Sequence, residues 1–324
     1  MEFRELGKSG IKVSAVGLGT WQWGSREWGW GRNYGKREVL DAFQKAIGLG
    51  INFVDTAEIY GRGRSEEIIG EAIRSCREQV VIATKVWPWN LSYRRTLKAA
   101  DRSRRRLGVD VIDLYQVHWP NPLIPIGTTM KAMKKLTQDG TIRCVGVSNF
   151  DLDKTKHAQE ALAPLELASN QVKYNLLDRQ VEAQLLPYAS SVRLSIIAYS
   201  PLAQGLLTGK YKTGSQPGSF TQRVNKRFSP RNLQRLAELN SVLSELAAAH
   251  GKTASQVALN WLVRNEQVIV IPGVKRPEDV VDDAGASGWR LTAEETTRLE
   301  KTAENLRFDT LSSLPNLLRA MVRH

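Results

Sequence analysis

The sequence contains few of the residues that build disulfide frameworks or metal sites. Only two cysteines and four histidines occur among 324 residues, and Cys76 and Cys144 have no metal-ligand spacing. We therefore expect reduced thiols, no bound metal and a cytoplasmic protein. No apolar run approaches the roughly 20 residues that span a bilayer, and the first residues do not resemble a signal peptide. We expect no association with membranes.

Acidic residues are also scarce, because 33 Asp and Glu stand against 46 Lys and Arg, for a formal net charge of +13. Such an excess suits proteins that bind nucleic acids, anionic membranes or acidic ligands. The densest basic stretch, Arg102 to Arg106, lies among apolar residues at helical spacing, and no nucleic-acid motif accompanies it. We interpret it as a solvated helix face and expect no nucleic-acid partner.

Short runs rich in β-branched residues recur along the chain, with amphipathic helical patterns between them. Such runs are typical of buried parallel strands. After an N-terminal hairpin at 3–14, eight strands are predicted at 16–19, 52–55, 80–84, 112–117, 142–147, 169–172, 195–198 and 268–271. This alternation predicts an α/β fold, a closed (β/α)8 TIM barrel. A doubly wound sheet is less favoured, because the turn that begins Gly17-Leu18-Gly19 lacks the third glycine of a dinucleotide-binding motif.

One interval between predicted strands is long. It contains a loop rich in Gly and Ser at 205–229 and predicted helices at 231–250 and 253–264. Inserted loops at the carboxyl face of a barrel usually have a binding role. Extra helices near the C-terminus are predicted at 277–286 and from Thr292, and the apolar tail, 308–324, is expected to pack on the barrel. We predict a single domain, 1–324.

Four polar residues, Asp55, Tyr60, Lys85 and His118, follow three consecutive predicted strands. Barrel active sites are built at such strand ends. Lys85 would lower the pKa of the Tyr60 phenol, Asp55 would balance the charge of Lys85, and His118 would orient a substrate oxygen. Taken singly, each residue is more readily explained as a cap, a surface lysine or a packed loop residue. Together, as a tetrad, they predict proton transfer to a carbonyl oxygen.

The segments around the tetrad have a specific pattern. They read Asn52-Phe53-Val54-Asp55-Thr56-Ala57-Glu58-Ile59-Tyr60-Gly61, Thr84-Lys85, Asp113-Leu114-Tyr115-Gln116-Val117-His118-Trp119, Gly146-Val147-Ser148-Asn149-Phe150, Tyr199-Ser200-Pro201-Leu202 and Ile271-Pro272-Gly273. In order and separation, from about Leu6 to Trp289, the chain resembles the aldo-keto reductase superfamily. The resemblance implies a (β/α)8 barrel that reduces aldehydes or ketones with NADPH and without a metal. It implies Tyr60 as proton donor, tuned by Lys85 and Asp55, with His118 orienting the carbonyl.

The same resemblance implies contacts to NADPH/NADP+. Ser148, Asn149 and Gln171 would hold the nicotinamide carboxamide, and the Tyr199 ring would stack on the nicotinamide. A helix N-terminus with two cations would hold the 2′-phosphate, although two carboxylates, at 279 and 283, replace residues that are commonly Gln or Glu and Asn in the family. The remaining implied cofactor residues are Gly19, Thr20, Trp21, Asp55, Ser200, Pro201, Leu202, Gly205, Leu207, Lys210, Gly273, Lys275, Arg276, Asp279 and Asp283.

Tryptophan is concentrated in the predicted carboxyl-face loops, which hold seven of the nine. This clustering suggests an aromatic pocket for apolar or ring-shaped carbonyls. The predicted pocket residues are Trp21, Trp23, Trp28, Trp87, Trp89 and Trp119. Arg26, Arg32 and Arg62 could add affinity for an anionic group, although exposed loop arginines are more often merely solvated.

The main hypothesis is a broad-specificity reductase of small-molecule carbonyls, acting as a monomer or weak homo-oligomer. Two alternatives stay open within the resemblance. One is a dedicated reductase of a single aldehyde, such as pyridoxal. The other is a nucleotide-sensing regulatory subunit that resembles potassium-channel β-subunits, which a partner-docking face and slow cofactor exchange would mark. The complete tetrad favours an enzyme.

Overall fold

Short apolar runs form the strands of a parallel barrel, as the sequence predicts. The structure is a computed structural model and describes residues 1–212 and 214–308. Its strands are β1 (Phe3–Glu5), β2 (Lys12–Ser14), β3 (Leu18–Gly19), β4 (Phe53–Asp55), β5 (Val81–Val86), β6 (Ile112–Val117), β7 (Ile142–Ser148), β8 (Leu167–Lys173), β9 (Ser195–Tyr199) and β10 (Val268–Ile271). Strands β3 to β10 form one sheet in chain order, and every pair of neighbours is parallel.

The barrel closes where β3 meets β10. The Gly17 N–H donates to the Val270 carbonyl at 2.8 Å, and a parallel bridge joins Gly19 to Gly273. A Cβ atom on Gly19 would lie 2.7 Å from the Ile271 carbonyl oxygen, so a residue without a side chain is needed for this approach. The closure confirms the predicted (β/α)8 barrel.

The N-terminal hairpin plugs the amino-terminal end of the barrel. Strands β1 and β2 pair antiparallel, with Phe3 opposite Ser14. Leu6 and Ile11, from the turn between them, join Phe53 and Leu114 in the apolar cluster inside the barrel. The site face is therefore the opposite, carboxyl-terminal end of the strands.

Amphipathic helices surround the barrel and bury their apolar faces against the strands. They are α1 (Lys36–Gly48), α2 (Arg64–Ala72), α3 (Tyr93–Leu107), α4 (Ile126–Gln138), α5 (Leu152–Leu162), α6 (Leu185–Val192), α7 (Phe220–Arg223), α8 (Pro230–His250), α9 (Ala254–Val263), α10 (Pro277–Ala284) and α11 (Ala293–Glu304). No helix in the described part of the chain has the length and apolarity that crossing a bilayer requires.

Three details differ from the sequence-based predictions. Between β8 and β9, the amphipathic pattern at 181–190 predicts one continuous helix, but the segment is divided into a 3-10 turn, Gln180–Glu182, and α6. Lys85 lies inside β5 instead of after it, because the strand continues to Val86. The loop 205–229 contains a short helix, α7, whose N-cap is Ser219.

The basic stretch on α3 is only partly a solvated face. The Arg105 side chain is 75% exposed, but Arg106 donates at 2.6 Å to the fully buried carboxylate of Glu66. Arg102 similarly reaches the Glu58 carboxylate at 3.3 Å. These arginines therefore hold α3 against the neighbouring segments. The predicted packing of the tail, 308–324, lies outside the described residues except for Phe308, which is half-buried.

Candidate active site

Three members of the tetrad meet at one ammonium group. Lys85 is completely buried, and its Nζ donates to Asp55 Oδ1 at 2.5 Å and to the Thr56 carbonyl at 2.8 Å. The same Nζ lies 3.4 Å from the Tyr60 hydroxyl. Asp55 ends β4 and Lys85 lies one strand along on β5, so the parallel register brings them together. Tyr60 reaches the pair from a 3-10 turn, Tyr60–Gly63, that precedes α2.

Burial shifts the pKa values of Asp55, Tyr60 and Lys85 towards their neutral forms. Burial lowers the pKa of Lys85 against the opposing effect of Asp55, and raises the pKa of Asp55 against the opposing effect of Lys85. Burial, with a further contribution from the Asp55 charge, also raises the pKa of Tyr60 well above that of a free phenol. Desolvation of the phenolate thus raises the pKa of Tyr60 in this arrangement, and the expected opposite effect of the Lys85 cation on the phenol stays a prediction. Tyr60 is a protonated phenol at neutral pH.

His118 follows β6 and completes the tetrad. Its ring lies edge-on to the Tyr60 ring, with 5.7 Å between centroids, and edge-on to the Trp87 ring at 5.4 Å. Burial, and then the Lys85 charge, lowers the pKa of His118 well below its ordinary value, so the imidazole is neutral at neutral pH. Its Nδ1 is buried without a hydrogen-bond partner among the described residues. A neutral imidazole with an unused nitrogen suits hydrogen bonding to a carbonyl oxygen.

Two buried amides hold the second oxygen of Asp55. Gln171 Nε2 donates to Asp55 Oδ2 at 2.7 Å, and Gln116 Nε2 approaches the same oxygen at 3.3 Å. Gln116 lies in the motif around His118 but has no role among the sequence-based predictions. Its signal was present, since a buried amide in an apolar strand two residues before His118 lies on the same face of that strand. Gln171, expected at the nicotinamide, thus also orients the tetrad.

The other expected nicotinamide residues form one connected layer beside His118. Asn149 Nδ2 donates to the His118 carbonyl at 3.0 Å and to Ser148 Oγ at 3.0 Å. The Tyr199 hydroxyl donates to Asn149 Oδ1 at 3.0 Å, and Ser148 Oγ donates to the Gln171 carbonyl at 2.9 Å. Asn149 has a positive φ of 62°, which is uncommon outside glycine. The structure therefore brings these four residues together next to the tetrad.

The chain after Tyr199 has an unusual backbone. Ser200, Ala203 and Gln204 all have positive φ, between 48° and 60°, and Gly205 follows at 101°. Strained conformations of this kind concentrate at binding sites, where the surrounding structure maintains them. Asn175 holds the strained turn by donating to the Ser200 carbonyl at 3.0 Å. This turn is where the family resemblance implies a pyrophosphate-covering loop.

Side chains in that loop have different environments. Leu207 is fully buried in the core, so only its backbone is available to a ligand, and Pro201 is buried as well, whereas Leu202 is half-buried. Lys210 is exposed and close enough to Asp283 to act on its carboxyl group electrostatically.

The rest of the loop folds back over the barrel mouth. Gln222 Nε2 donates to the Gln204 carbonyl at 2.8 Å, and Arg227 makes a two-point contact with Asp178 at 2.7 and 2.9 Å. Helix α7 packs against the 3-10 turn Arg26–Trp28 on the far side of the site. The 205–229 insertion therefore contacts both the loop after β9 and the loop after β3.

At the expected 2′-phosphate site, Lys275 and Arg276 already make hydrogen bonds to other groups of the protein. Asp279 Oδ2 accepts the N–H groups of Lys275 and Arg276 at 3.0 and 3.1 Å and so caps α10. Lys275 Nζ donates to the Trp28 carbonyl at 3.3 Å, and Arg276 Nη2 donates to the Asn33 carbonyl at 3.1 Å. Both cations therefore also bind the 28–34 loop, so a phosphate would have to compete for them.

Asp283, also expected at the cofactor, is buried on α10. Burial, followed by repulsion from Asp282 and Asp279, raises the pKa of Asp283 well above its ordinary value. Burial therefore disfavours the charged form of Asp283 and so lessens the repulsion that this carboxyl group would exert on a cofactor phosphate.

The first expected cofactor residues sit where β3 ends. Gly19 borders the barrel closure. The Thr20 hydroxyl donates to the Asp55 carbonyl at 2.8 Å and also forms a hydrogen bond with the Ser65 hydroxyl. Thr20 therefore supports Asp55 rather than offering its hydroxyl to a ligand. A Cβ atom on Gly273 would lie 1.9 Å from Gln22 Nε2, the end of a flexible side chain, so the Gln22 amide packs directly on the backbone of Gly273.

Three tryptophans line the approach to the tetrad. The Trp21 ring lies 6.3 Å from the Tyr60 ring and 5.1 Å from the Trp28 ring, while Trp87 contacts His118 from the opposite side. Trp21 and Trp87 are half-buried and Trp28 is buried. These positions agree with an aromatic pocket beside the phenol.

The other predicted pocket tryptophans are placed differently. Trp23 is fully buried, and its indole N–H donates to the Val274 carbonyl at 2.9 Å. Its assignment to the pocket is wrong, because it packs in the core between barrel and helices. Trp89 is 62% exposed at the outer rim. Trp119 is half-buried directly after His118.

Glu58 is a site residue that the sequence analysis did not assign. Its Oε1 accepts the Trp87 N–H at 2.7 Å and Asn90 Nδ2 at 2.9 Å. Glu58 therefore connects the segment that carries Tyr60 to the loop that carries Trp87. Its position two residues before Tyr60, inside the motif, was the available signal.

Fold and site together define a class of protein, a TIM barrel with a buried cluster of Asp55, Tyr60, Lys85 and His118 at its carboxyl face. The model of the Aldo/keto reductase family matches residues 15–304. The chain belongs to this family. It is 40% identical over 297 residues to an uncharacterized oxidoreductase of Mycobacterium tuberculosis, covering 91% of each chain. It is 34% identical to an NADH-specific methylglyoxal reductase of Escherichia coli (93% and 98% covered) and 33% to a chloroplastic pyridoxal reductase of Arabidopsis thaliana (91% and 84%).

Solved structures agree with this family. An aldo-keto reductase of Klebsiella pneumoniae in complex with NADPH is 31% identical, with a TM-score of 0.75 over 93% of this chain and 95% of that one. The glycerol dehydrogenase of Gluconobacter oxydans is also 31% identical, with a TM-score of 0.84 over 97% of both chains. The protein is therefore an oxidoreductase of this family.

Proposed function

We propose that the protein reduces aldehydes and ketones to alcohols with NADPH, with Tyr60 as the general acid. The observation that carries the proposal is the position of Lys85 Nζ, which lies 2.5 Å from Asp55 Oδ1 and 3.4 Å from the Tyr60 hydroxyl. Neutral His118 stands at the edge of the Tyr60 ring with an unused nitrogen. An acid, its stabilising cation and a hydrogen-bond donor therefore converge on one point.

The proton transfer follows from these charges. Tyr60 begins as a neutral phenol and gives up its proton as negative charge develops on the substrate oxygen. At 3.4 Å the Lys85 ammonium stabilises the new phenolate by about 5 kcal/mol at an effective dielectric constant of about 20. This attraction opposes the desolvation that raises the pKa of Tyr60. Asp55 keeps Lys85 protonated and in place, and His118 orients the carbonyl oxygen.

The residues beside the tetrad fit a nicotinamide cofactor. NADPH, when bound, supplies the hydride for the reduction. Gln171 donates its amide N–H to Asp55, and its Oε1 has no hydrogen bond within the described residues, so this oxygen is available to a carboxamide N–H. Ser148 and Asn149 offer further polar groups, and the Tyr199 ring offers a flat apolar face.

The preference for NADPH rests on Lys275 and Arg276. Two cations at the start of α10 suit a phosphate, and Asp279 opposes it by capping the same N–H groups. Changing both cations to Ala is expected to weaken NADPH much more than NADH. Equal weakening of the two cofactors would remove the 2′-phosphate assignment, which matters because one relative is named as NADH-specific.

The proposed substrates are small carbonyl compounds, with aromatic ones favoured. Trp21, Trp28 and Trp87 provide the aromatic walls next to the phenol. The 2-oxoaldehyde methylglyoxal belongs in the test because a relative at 34% identity is named for it. Pyridoxal belongs there as the dedicated-substrate alternative. A cytoplasmic location and a monomer or weak homo-oligomer remain predictions.

The experiment mixes purified protein with NADPH and a panel of benzaldehydes, aliphatic aldehydes, methylglyoxal and pyridoxal, and follows the loss of nicotinamide absorbance. Turnover of several aldehydes supports the proposal, and turnover of pyridoxal alone supports the dedicated reductase. Tight nucleotide binding with no turnover of any carbonyl would contradict the proposal. It would favour the regulatory subunit.

A further inference from the structure

A basic cavity lies beside the Tyr60 turn. It has a volume of about 480 Å³ and is lined by Arg26, Trp30, Gly31, Arg32 and Arg64. Arg26 to Arg32 belong to the loop between β3 and α1, and Arg64 is the first residue of α2, four residues after Tyr60. Of the three loop arginines that the sequence suggested for an anionic group, Arg26 and Arg32 line the cavity and Arg62 does not. Arg64, which the sequence did not suggest, is the third arginine of the lining.

The positive charge of this cavity is not balanced by the protein. Within residues 1–212 and 214–308, no ion pair involves Arg26, Arg32, Arg64 or the adjacent Arg62, and no carboxylate lines the cavity. Nearby Arg106, in contrast, pairs with Glu66. Guanidinium groups bind carboxylates and phosphates through two parallel hydrogen bonds, so unpaired arginines around one concavity suit an anionic group.

Several contacts fix the cavity relative to the phenol. A Cβ atom on Gly61 would lie 2.9 Å from the backbone of Gly24, so the turn that follows Tyr60 presses against the arginine-bearing loop. On its other side this loop is held by Lys275. The Trp21 ring contacts both the Trp28 ring of the loop and the Tyr60 ring. The loop that carries Arg26 and Arg32 is therefore connected to the Tyr60 ring through Trp28 and Trp21.

We propose that this cavity binds the carboxylate or phosphate group of an anionic carbonyl substrate whose carbonyl end reaches Tyr60. This inference rests on the proposed reductase function and specifies its substrate class. The aromatic walls hold the body of the substrate, and the arginines hold its charged end. Because the arginine side chains are exposed, each contact contributes modestly and depends on ionic strength.

The test compares pairs of substrates that differ in charge. One pair is 4-carboxybenzaldehyde and its methyl ester, and the other is glyceraldehyde 3-phosphate and glyceraldehyde, so the two pairs separate carboxylate from phosphate. The variants are Arg32→Ala, Arg64→Ala and the double variant. Arg37→Ala is the matched control, because Arg37 is 92% exposed on α1 and, among residues 1–212 and 214–308, forms an ion pair with Asp41 alone.

Each single variant is expected to lower the anionic-to-neutral ratio of kcat/KM about fivefold, which corresponds to about 1 kcal/mol for one exposed ionic contact. The double variant is expected to lower it about 25-fold if the two contacts add. The change should appear in KM rather than kcat, and added salt should reduce it. Arg37→Ala should leave the ratio unchanged.

Two results would overturn or relocate the inference. An unchanged ratio in Arg32→Ala and Arg64→Ala would remove it. A fall in NADPH use relative to NADH, with the substrate ratio unchanged, would assign the cavity to the cofactor phosphate instead. Calorimetric binding of 4-(hydroxymethyl)benzoate, the alcohol product of the first aldehyde, separates the two proposals. If the parent reduces no aldehyde yet binds this anion and Arg64→Ala does not, the reductase proposal fails and the anion site stands.

Discussion

Replacing Glu58 tests whether one carboxylate holds together the two loops that carry the site. Glu58→Ala removes the acceptor for the Trp87 N–H and for Asn90 Nδ2, at 2.7 and 2.9 Å. The Glu58 side chain is only 8% exposed, so water does not fully replace these contacts. At the lower end of about 1.5 kcal/mol for each hydrogen bond to a charged group, the loss is about 3 kcal/mol. For a chain of 324 residues that lowers the melting temperature by about 4 °C.

The matched variant is Glu58→Gln. It keeps the Oε1 acceptor and loses only the ion pair with Arg102, whose side chain is 46% exposed, so the cost is at most about 1 kcal/mol. Thermal unfolding and the KM for benzaldehyde are measured for both variants. Glu58→Ala should also raise the KM, because Trp87 loses its anchor beside His118. Equal destabilisation by the two variants, or none by Glu58→Ala, would refute the reasoning.

Three further predictions concern single side chains. Because the pKa of His118 is lowered in the folded protein, His118 should cause no inflection near pH 6.5 in the pH profile of kcat/KM. Below that pH the unfolded chain binds a proton at His118 that the folded chain does not, so the free energy of unfolding should fall by up to about 1.4 kcal/mol per pH unit. His118→Gln should remove this pH dependence of the free energy of unfolding. Trp23→Ala should destabilise the fold by about 3–5 kcal/mol in denaturant titrations, whereas Trp21→Ala should mainly raise the KM for aromatic aldehydes; the reverse pattern would contradict their placement. Gly19→Ala should cost about 1–3 kcal/mol by the same titration, because its Cβ would overlap the Ile271 carbonyl, and no loss of stability would refute the tight closure.

The barrel and the tetrad were accessible from sequence because both depend on local patterns. Apolar runs of strand length predict the buried strands, and parallel strands that share one direction bring their carboxyl ends to one face. Asp55, Lys85 and His118 therefore had to approach one another once the strand order was right. Tyr60 was singled out because it follows the first of these strands by a few residues, and the structure places it in a 3-10 turn instead of at a strand end.

The finer assignments depend on which way a side chain points, and loop sequences do not determine this. Trp23 and Trp21 are two residues apart, yet one fills the core and the other faces Tyr60. The sequence places Lys275 at a helix N-terminus. It does not predict the hydrogen bond from Lys275 to the Trp28 carbonyl, because the two residues are 247 positions apart in the chain. The pKa of Tyr60 also depends on burial, whose desolvation effect the sequence does not reveal.

The most direct test of the central claim is Tyr60→Phe. The phenol donates the proton, so its loss should lower the rate of aldehyde reduction in a single turnover by about 10²- to 10⁴-fold. The affinity for NADPH, measured by quenching of tryptophan fluorescence, should stay close to that of the parent, because the phenol is not among the proposed cofactor contacts. A Phe variant that reduces aldehydes as fast as the parent would contradict the assignment of Tyr60 as the acid.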